Sequence, residues 1–136
     1  MNNILYINCT AKPQDRYGKV LREAGYRVHS GTWAELMPRM RNGTLSAQLV
    51  LAVCKILNAE TGERLRTLTR AARSVPCVLV SEGMTVESYL RAQALGISEY
   101  LCEPVDDDEL LRVVSALMQS FQQRKQSAAA RSAGCC

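Results

Sequence analysis

The chain has 136 residues, 47% of them apolar and only 5% aromatic, with a formal net charge of +4. That composition suits a single domain with a core of Leu, Val and Ala, and it excludes a disordered polyelectrolyte. Part of the mild basic excess sits near the C-terminus at Arg124, Lys125 and Arg131, so no nucleic-acid surface is expected. The first residues lack the charged and apolar regions of a signal peptide, and no stretch reaches the length of a membrane span, so a cytoplasmic location without membrane contact is expected.

Asn3 to Cys9 reads as a strand. Pro13 opens a helix at its first turn, where a missing N–H costs nothing, and this helix carries Val20 and Leu21 and stops near Gly25. Tyr26 to Ser30 is a short strand on which His29 stands alone, read as structural like Trp33. Thr32 and Glu35 form a capping box for a second helix that ends about Asn42 and Gly43. Gln48 to Cys54 is almost continuously apolar, the pattern of a central parallel strand. A loop to Gly62 leads into a helix with Leu65, Leu68, Ala71 and Ala72 on one face.

Val75 to Ser81 is the fourth strand. Thr85 caps a helix expected to turn Val86, Tyr89 and Leu90 inward before it stops at Gly96. Ile97 to Cys102 is the fifth strand. Asp106 to Glu109 place acids at the positive end of the last helix, whose expected buried stripe is Leu110, Val113, Val114, Leu117, Met118 and Phe121. Beyond Phe121 bulky apolar residues nearly vanish. The expected division is therefore a domain over 1–121 and a disordered tail over 122–136. The alternation predicts an α/β fold: a doubly wound, five-stranded parallel sheet of flavodoxin-like order 2-1-3-4-5, with helices on both faces. Ligand sites in such sheets lie at the carboxyl ends of the strands. Here those ends carry Asn8, Cys9, Cys54, Ser81 and Glu103.

The last βαβ unit runs from an apolar strand ending at Ser81 to one ending in Tyr100, Leu101, Cys102, Glu103 and Pro104. It resembles the closing unit of the CheY-like response-regulator receiver domain. In that family a hydroxyl and a Lys-Pro dipeptide flank a phosphorylated aspartate. The resemblance covers about residues 3–120. It puts Asn8 and Cys9 at the two acidic Mg²⁺-binding places, Cys54 at the phosphoacceptor place through the spacing to Leu57 and Gly62, Ser81 at the hydroxyl place, Tyr100 at the aromatic switch place, Glu103 at the Lys place and Pro104 at the Pro place. Ser81, Tyr100 and Pro104 match, and the acids, the phosphoacceptor and the Lys do not. Amide and thiol are poor ligands for a hard Mg²⁺ ion, a thiol cannot form an acyl phosphate, and Glu103 repels a phosphoryl group.

The resemblance therefore implies a degenerate, or pseudo-, receiver. It would be a stand-alone, non-enzymatic interaction module of the two-component or phosphorelay type, without cofactor or metal. Its implied partners are signalling proteins, or a second copy in a weak homodimer through the fourth helix, fifth strand and fifth helix, with Tyr89, Arg91, Glu99 and Arg112 at the rim. The bland alternatives are a strand-ending Ser81, a Tyr100 that only packs, and a Pro104 whose cis peptide bond shapes the loop.

A second class of function keeps the thiols. Cys9 and Cys54 could form a redox pair or metal site, or Cys9 could serve a phosphocysteine-type enzyme, since a helix N-terminus favours thiolate. Against the latter, the loop Thr10 to Asp15 has no Gly to wrap a phosphate. The remaining cysteines, including Cys77 and Cys102, read as small buried hydrophobes, there being no CxxC spacing. Cys135 and Cys136 resemble, over two residues only, a prenylation ending, and are read as a reactive tail.

Overall fold

A computed structural model describes residues 3–8, 16–42, 47–55, 59–71 and 75–134, with side chains to residue 120. In chain order the elements are β1 (Asn3–Asn8), α1 (Arg16–Glu23), β2 (Arg27–Thr32), α2 (Trp33–Arg41), β3 (Leu49–Cys54), α3 (Ala59–Ala71), β4 (Cys77–Ser81), α4 (Val86–Ala94), β5 (Glu99–Cys102) and α5 (Asp107–Gly134). The strands form one parallel sheet in the order β2-β1-β3-β4-β5. This is the expected doubly wound order. Every residue of β3 and β4 is buried, as their unbroken apolar runs require when helices cover both faces.

Alternate side chains divide between the two layers. Ile4, Tyr6, Leu51, Val78 and Val80 pack with Tyr17 and Leu21 of α1 and with Leu110, Val114 and Met118 of α5. Leu5, Ile7, Val50, Cys54 and Leu79 pack with Leu36 and Met37 of α2, Leu65 and Leu68 of α3, and Ala92 of α4. Trp33 is half-buried against this second cluster. The capping box at Thr32 and Glu35 forms as its spacing dictates. Gly25 and Gly96 end α1 and α4 with φ of 99° and 85°, left-handed values that glycine adopts without steric cost.

The structure departs from the sequence expectations in four places. The third helix begins at Ala59, so Gly62 is buried inside it and does not end a loop before it, and Ala71 is exposed. Val86, Tyr89 and Leu90 do not face inward: they are 78%, 44% and 57% exposed, and α4 buries only Ala92 among its residues. The apolar periodicity was real, but the docking side of α4 follows Ser88, Ala92 and Leu95, one step around the helix. Cys102 is exposed, not core, because it ends β5, the edge strand of the sheet. The last helix does not stop near Phe121 but keeps helical backbone to Gly134. Gln, Arg, Lys and Ala are good helix formers, and no Gly or Pro intervenes before Gly134. Pro13 and Cys9 lie outside the described residues, as do Cys135, Cys136 and the side chain of Phe121. Among the described residues no helix is long and apolar enough to cross a membrane.

The contrast between core and α4 is measurable. Leu79→Ala, at a site with no exposure, is expected to cost about 2–5 kcal/mol. Val86→Ala is expected to change stability by no more than about 0.5 kcal/mol. Urea unfolding monitored by circular dichroism reads both, and a large loss for Val86→Ala would mean that α4 docks through that face after all.

Candidate functional site

Parallel register brings the strand ends to one edge. Cys54 is level with Ser81, and Ser81 with Cys102. Asn8 ends β1 opposite Val53 and is 5% exposed. Glu103 follows β5 immediately, and its backbone N–H donates to the Ser81 carbonyl at 2.8 Å. The Glu103–Pro104 peptide bond is cis. The structure thus brings together Asn8, Cys54, Ser81, Glu103 and Pro104, the residues assigned to the pocket. Cys9 lies outside the described residues.

Within this edge the thiol and the hydroxyl play different parts. Cys54 is 2% exposed and belongs to the apolar cluster under α2 and α3. Ser81 is fully buried, so its hydroxyl must find partners inside the protein. It donates to the Gly83 carbonyl at 2.8 Å, and its oxygen lies 2.8 Å from the Tyr100 hydroxyl. The Tyr100 hydroxyl also reaches the Gly83 carbonyl at 3.2 Å and the Ser88 Oγ at 3.4 Å. The Tyr100 ring packs against the cluster beneath α4. Tyr100 therefore points inward and ties β5 to the loop and first turn of α4.

The Glu103 side chain has a partner that the sequence did not disclose. Tyr17 of α1, only 2% exposed, donates its hydroxyl to Glu103 Oε1 at 3.2 Å. Burial comes first, and the neighbouring carboxylate second, in pushing the Tyr17 phenol from its ordinary 10.0 up to about 12. Arg16 donates to the Val105 carbonyl at 3.3 Å and lies 5.7 Å over the Tyr17 ring. Together they fasten α1 to the β5–α5 turn. The only hint in the sequence was general: a tyrosine on the inward face of an amphipathic helix needs a partner for its hydroxyl.

The rim residues do not form one group. Tyr89 is exposed, and Arg91 pairs with Glu87 at 3.6 Å on α4. Glu99 is exposed on the edge strand. Arg112 lies on the α1 side of α5, where it lines an open depression of about 520 Å³ with Arg16 and Asp106 to Glu109. Among the described residues no three His, Cys, Asp or Glu side chains converge to hold a metal ion. Cys54, Cys77 and Cys102 are thiols outside any disulfide.

No family model matches the sequence, and no curated protein matches it either. Solved structures do resemble it. A CheY-like response regulator receiver domain protein from Methanospirillum hungatei aligns over 91% of this chain and 98% of its own, at 19% identity and a TM-score of 0.78. A pilus assembly-related protein from Burkholderia pseudomallei aligns over 88% and 90%, at 21% identity and a TM-score of 0.74. NtrX from Brucella abortus gives a TM-score of 0.81 at 15% identity over 96% of this chain, which spans only 30% of NtrX. The chain has the CheY-like receiver fold.

Two measurements follow from the site. Tyr17 is neutral up to its ordinary pKa in the unfolded chain and stays neutral longer when folded. The stability it contributes is whole below pH 10.0 and is lost as pH rises toward about 12. Alkaline titration of phenolate absorbance should show a late-ionising tyrosine that disappears in Tyr17→Phe and shifts down in Glu103→Gln. A late phase that survives Tyr17→Phe would remove the proposed bond. Timed iodoacetamide labelling with peptide mapping should modify Cys102 fast and Cys54 and Cys77 slowly, because only the first reaches solvent. Equal rates at Cys54 and Cys102 would mean that the strand-end pocket is open.

Proposed function

We propose that this chain is a receiver-fold interaction module that operates without phosphorylation and without catalysis. The observation that carries this reading is the 2.8 Å contact between Ser81 and Tyr100. In the receiver frame the hydroxyl at the Ser81 place flanks a phosphoryl group. Here that hydroxyl is engaged within the protein, 2.8 Å from both the Gly83 carbonyl and the Tyr100 hydroxyl. The aromatic at the switch place is held inward by the protein's own groups, so the surface it controls is fixed without a covalent event.

The chemistry around Ser81 supports the same reading. Cys54 stands level with Ser81 where the frame calls for a carboxylate, and a thiol forms no acyl phosphate. Glu103 replaces the cation that would pair with the phosphoryl oxygens. At 4 Å two like charges repel by about 1 kcal/mol in water and about 4 kcal/mol near a protein surface. The Tyr17 hydroxyl bond keeps that carboxylate at the turn. Signalling then proceeds by contact through α4, β5 and α5, to a partner protein or in a weak homodimer. The likeness to a pilus assembly-related protein makes components of such an assembly the first heterologous partners to test. A thiol switch is less well supported, because Cys54 sits within an apolar cluster.

The test is direct. Incubated with Mg²⁺ and acetyl phosphate, the protein is expected to keep its intact mass. With beryllofluoride and Mg²⁺, the amide resonances of Ser81 and Tyr100 are expected to stay in place. A stable adduct, or shifts confined to that edge, would overturn the reading.

A further inference from the structure

Charge is divided along the chain, and the sheet order turns that division into two poles. Between residues 16 and 41 six Lys and Arg side chains stand against two carboxylates, whereas between residues 82 and 109 one arginine stands against eight carboxylates. The first segment builds α1, β2 and α2, and the second builds α4, β5 and the first turn of α5. β2 and β5 are the two edges of the sheet, so the basic and acidic segments lie at opposite ends of the domain. Such poles orient a charged partner before contact. An acidic partner is drawn to β2 and turned away from β5.

The basic edge is also open to strand addition. β2 pairs with β1 in unbroken register over six residues, Arg27–Thr32, with no proline among them. Among the described residues no strand pairs with its outer side. Alternate residues of such an edge turn N–H and C=O groups outward, a template for another extended chain. Small residues at Ser30, Gly31 and Thr32 leave room for one to approach. Cations flank the strand on both faces. On one face Val28 packs with the α1 layer and Ser30 accepts a hydrogen bond from Arg22 Nη2 at 3.1 Å, with exposed Lys19 on the same helix. On the other, Gly31 faces α2, where an added Cβ would lie 3.2 Å from Leu36. Exposed Arg39 and Arg41 end that helix, and exposed Arg27 shares the parity of Gly31.

We propose that the β2 edge is a docking site for an acidic, extended segment of a partner protein, which joins the sheet as a sixth strand. Main-chain bonds to β2 hold it in register, and carboxylates on its two faces meet the cations of α1 and α2. An open strand edge calls for donors as well as acceptors. Phosphate groups accept hydrogen bonds but give none to the outward carbonyls of β2, so a polypeptide fits this edge better than a nucleic-acid backbone or an anionic membrane. The site lies at the opposite edge from the α4, β5 and α5 surface and does not rest on the reading of that surface. An added strand of this length covers well under the roughly 800 Å² per partner of a stable interface. Dissociation constants of about 0.1–1 mM are therefore expected, and salt should weaken the binding.

The probe is a capped synthetic peptide of about eight residues repeating Glu-Glu-Val-Thr, which puts carboxylates on both faces of a strand. It is titrated to about 2 mM into the isotope-labelled full chain and followed by amide NMR shifts. Saturable shifts are expected across Arg27–Thr32, with those of Glu99–Cys102 unmoved. A peptide with Lys in place of Glu is expected to leave β2 unmoved. The acidic peptide N-methylated at every amide keeps its charge but has no donors, and is expected to bind at least about fivefold more weakly. The double variant K19E/R41E is expected to keep its circular dichroism, to lose affinity for the acidic peptide by about fivefold or more, and to bind the Lys peptide instead. Loss of folding could not produce that inversion. Absence of β2 shifts, equal binding of the N-methylated peptide, or a double variant that does not invert the preference overturns the proposal. A single-stranded oligonucleotide or a phosphatidylglycerol vesicle that moves the β2 amides at lower concentration than the peptide also overturns it, in favour of that polyanion. An acetyl phosphate adduct would overturn only the earlier reading, whatever happens at β2.

Discussion

A buried hydroxyl must bond within the protein, and Ser81 has no exposure at all. That requirement organises the edge of the sheet. Gly83 supplies a carbonyl and Tyr100 a hydroxyl, both at 2.8 Å. Through Tyr100 the bond reaches Ser88, a residue of the α4 capping box that begins at Thr85. One serine at the end of β4 thereby couples the fifth strand to the start of the fourth helix.

The opposite side of the edge is held by charge and burial. Glu103 is one residue beyond β5, and Tyr17 meets it from α1. The raised phenol pKa has burial as its main cause, with the carboxylate adding to it. Arg16 partly counters that effect while tying its own side chain to the Val105 carbonyl. A carboxylate at this turn is therefore integrated with α1 through a hydrogen bond. The same geometry with a lysine would leave the tyrosine without a charged acceptor, so Glu103 and Tyr17 are best regarded as one feature.

The sheet divides these tasks cleanly because its central strands are covered on both faces. Parallel pairing fixes the level of Cys54, Ser81 and Cys102 to within a residue, and a slip would move each side chain to the opposite layer. Cys54 illustrates the consequence. Its position puts it beside Ser81, yet its parity sends it into the cluster with Leu36, Met37 and Leu65. Cys102 sits at the same level but on an edge strand, and its thiol is exposed.

The sequence by itself determined the order of elements, the doubly wound topology and which residues stand at the strand ends. These follow from local signals: the unbroken apolar runs of β3 and β4, the box at Thr32 and Glu35, and glycines at 25 and 96 where the chain needs a positive φ. It did not determine which side of α4 is buried, since Val86, Tyr89 and Leu90 have the spacing of a core stripe whether or not a core lies beneath them. Nor did it disclose Tyr17 beside Glu103, because that bond joins residues brought together only by the crossover of α1 and the last turn of the sheet. The helical reach to Gly134 was obscured by a lack of apolar residues, although backbone propensity needs none. Periodicity and capping act over a few residues and are written in the chain, whereas the facing of a helix and the partner of a buried hydroxyl are decided by packing across the whole fold.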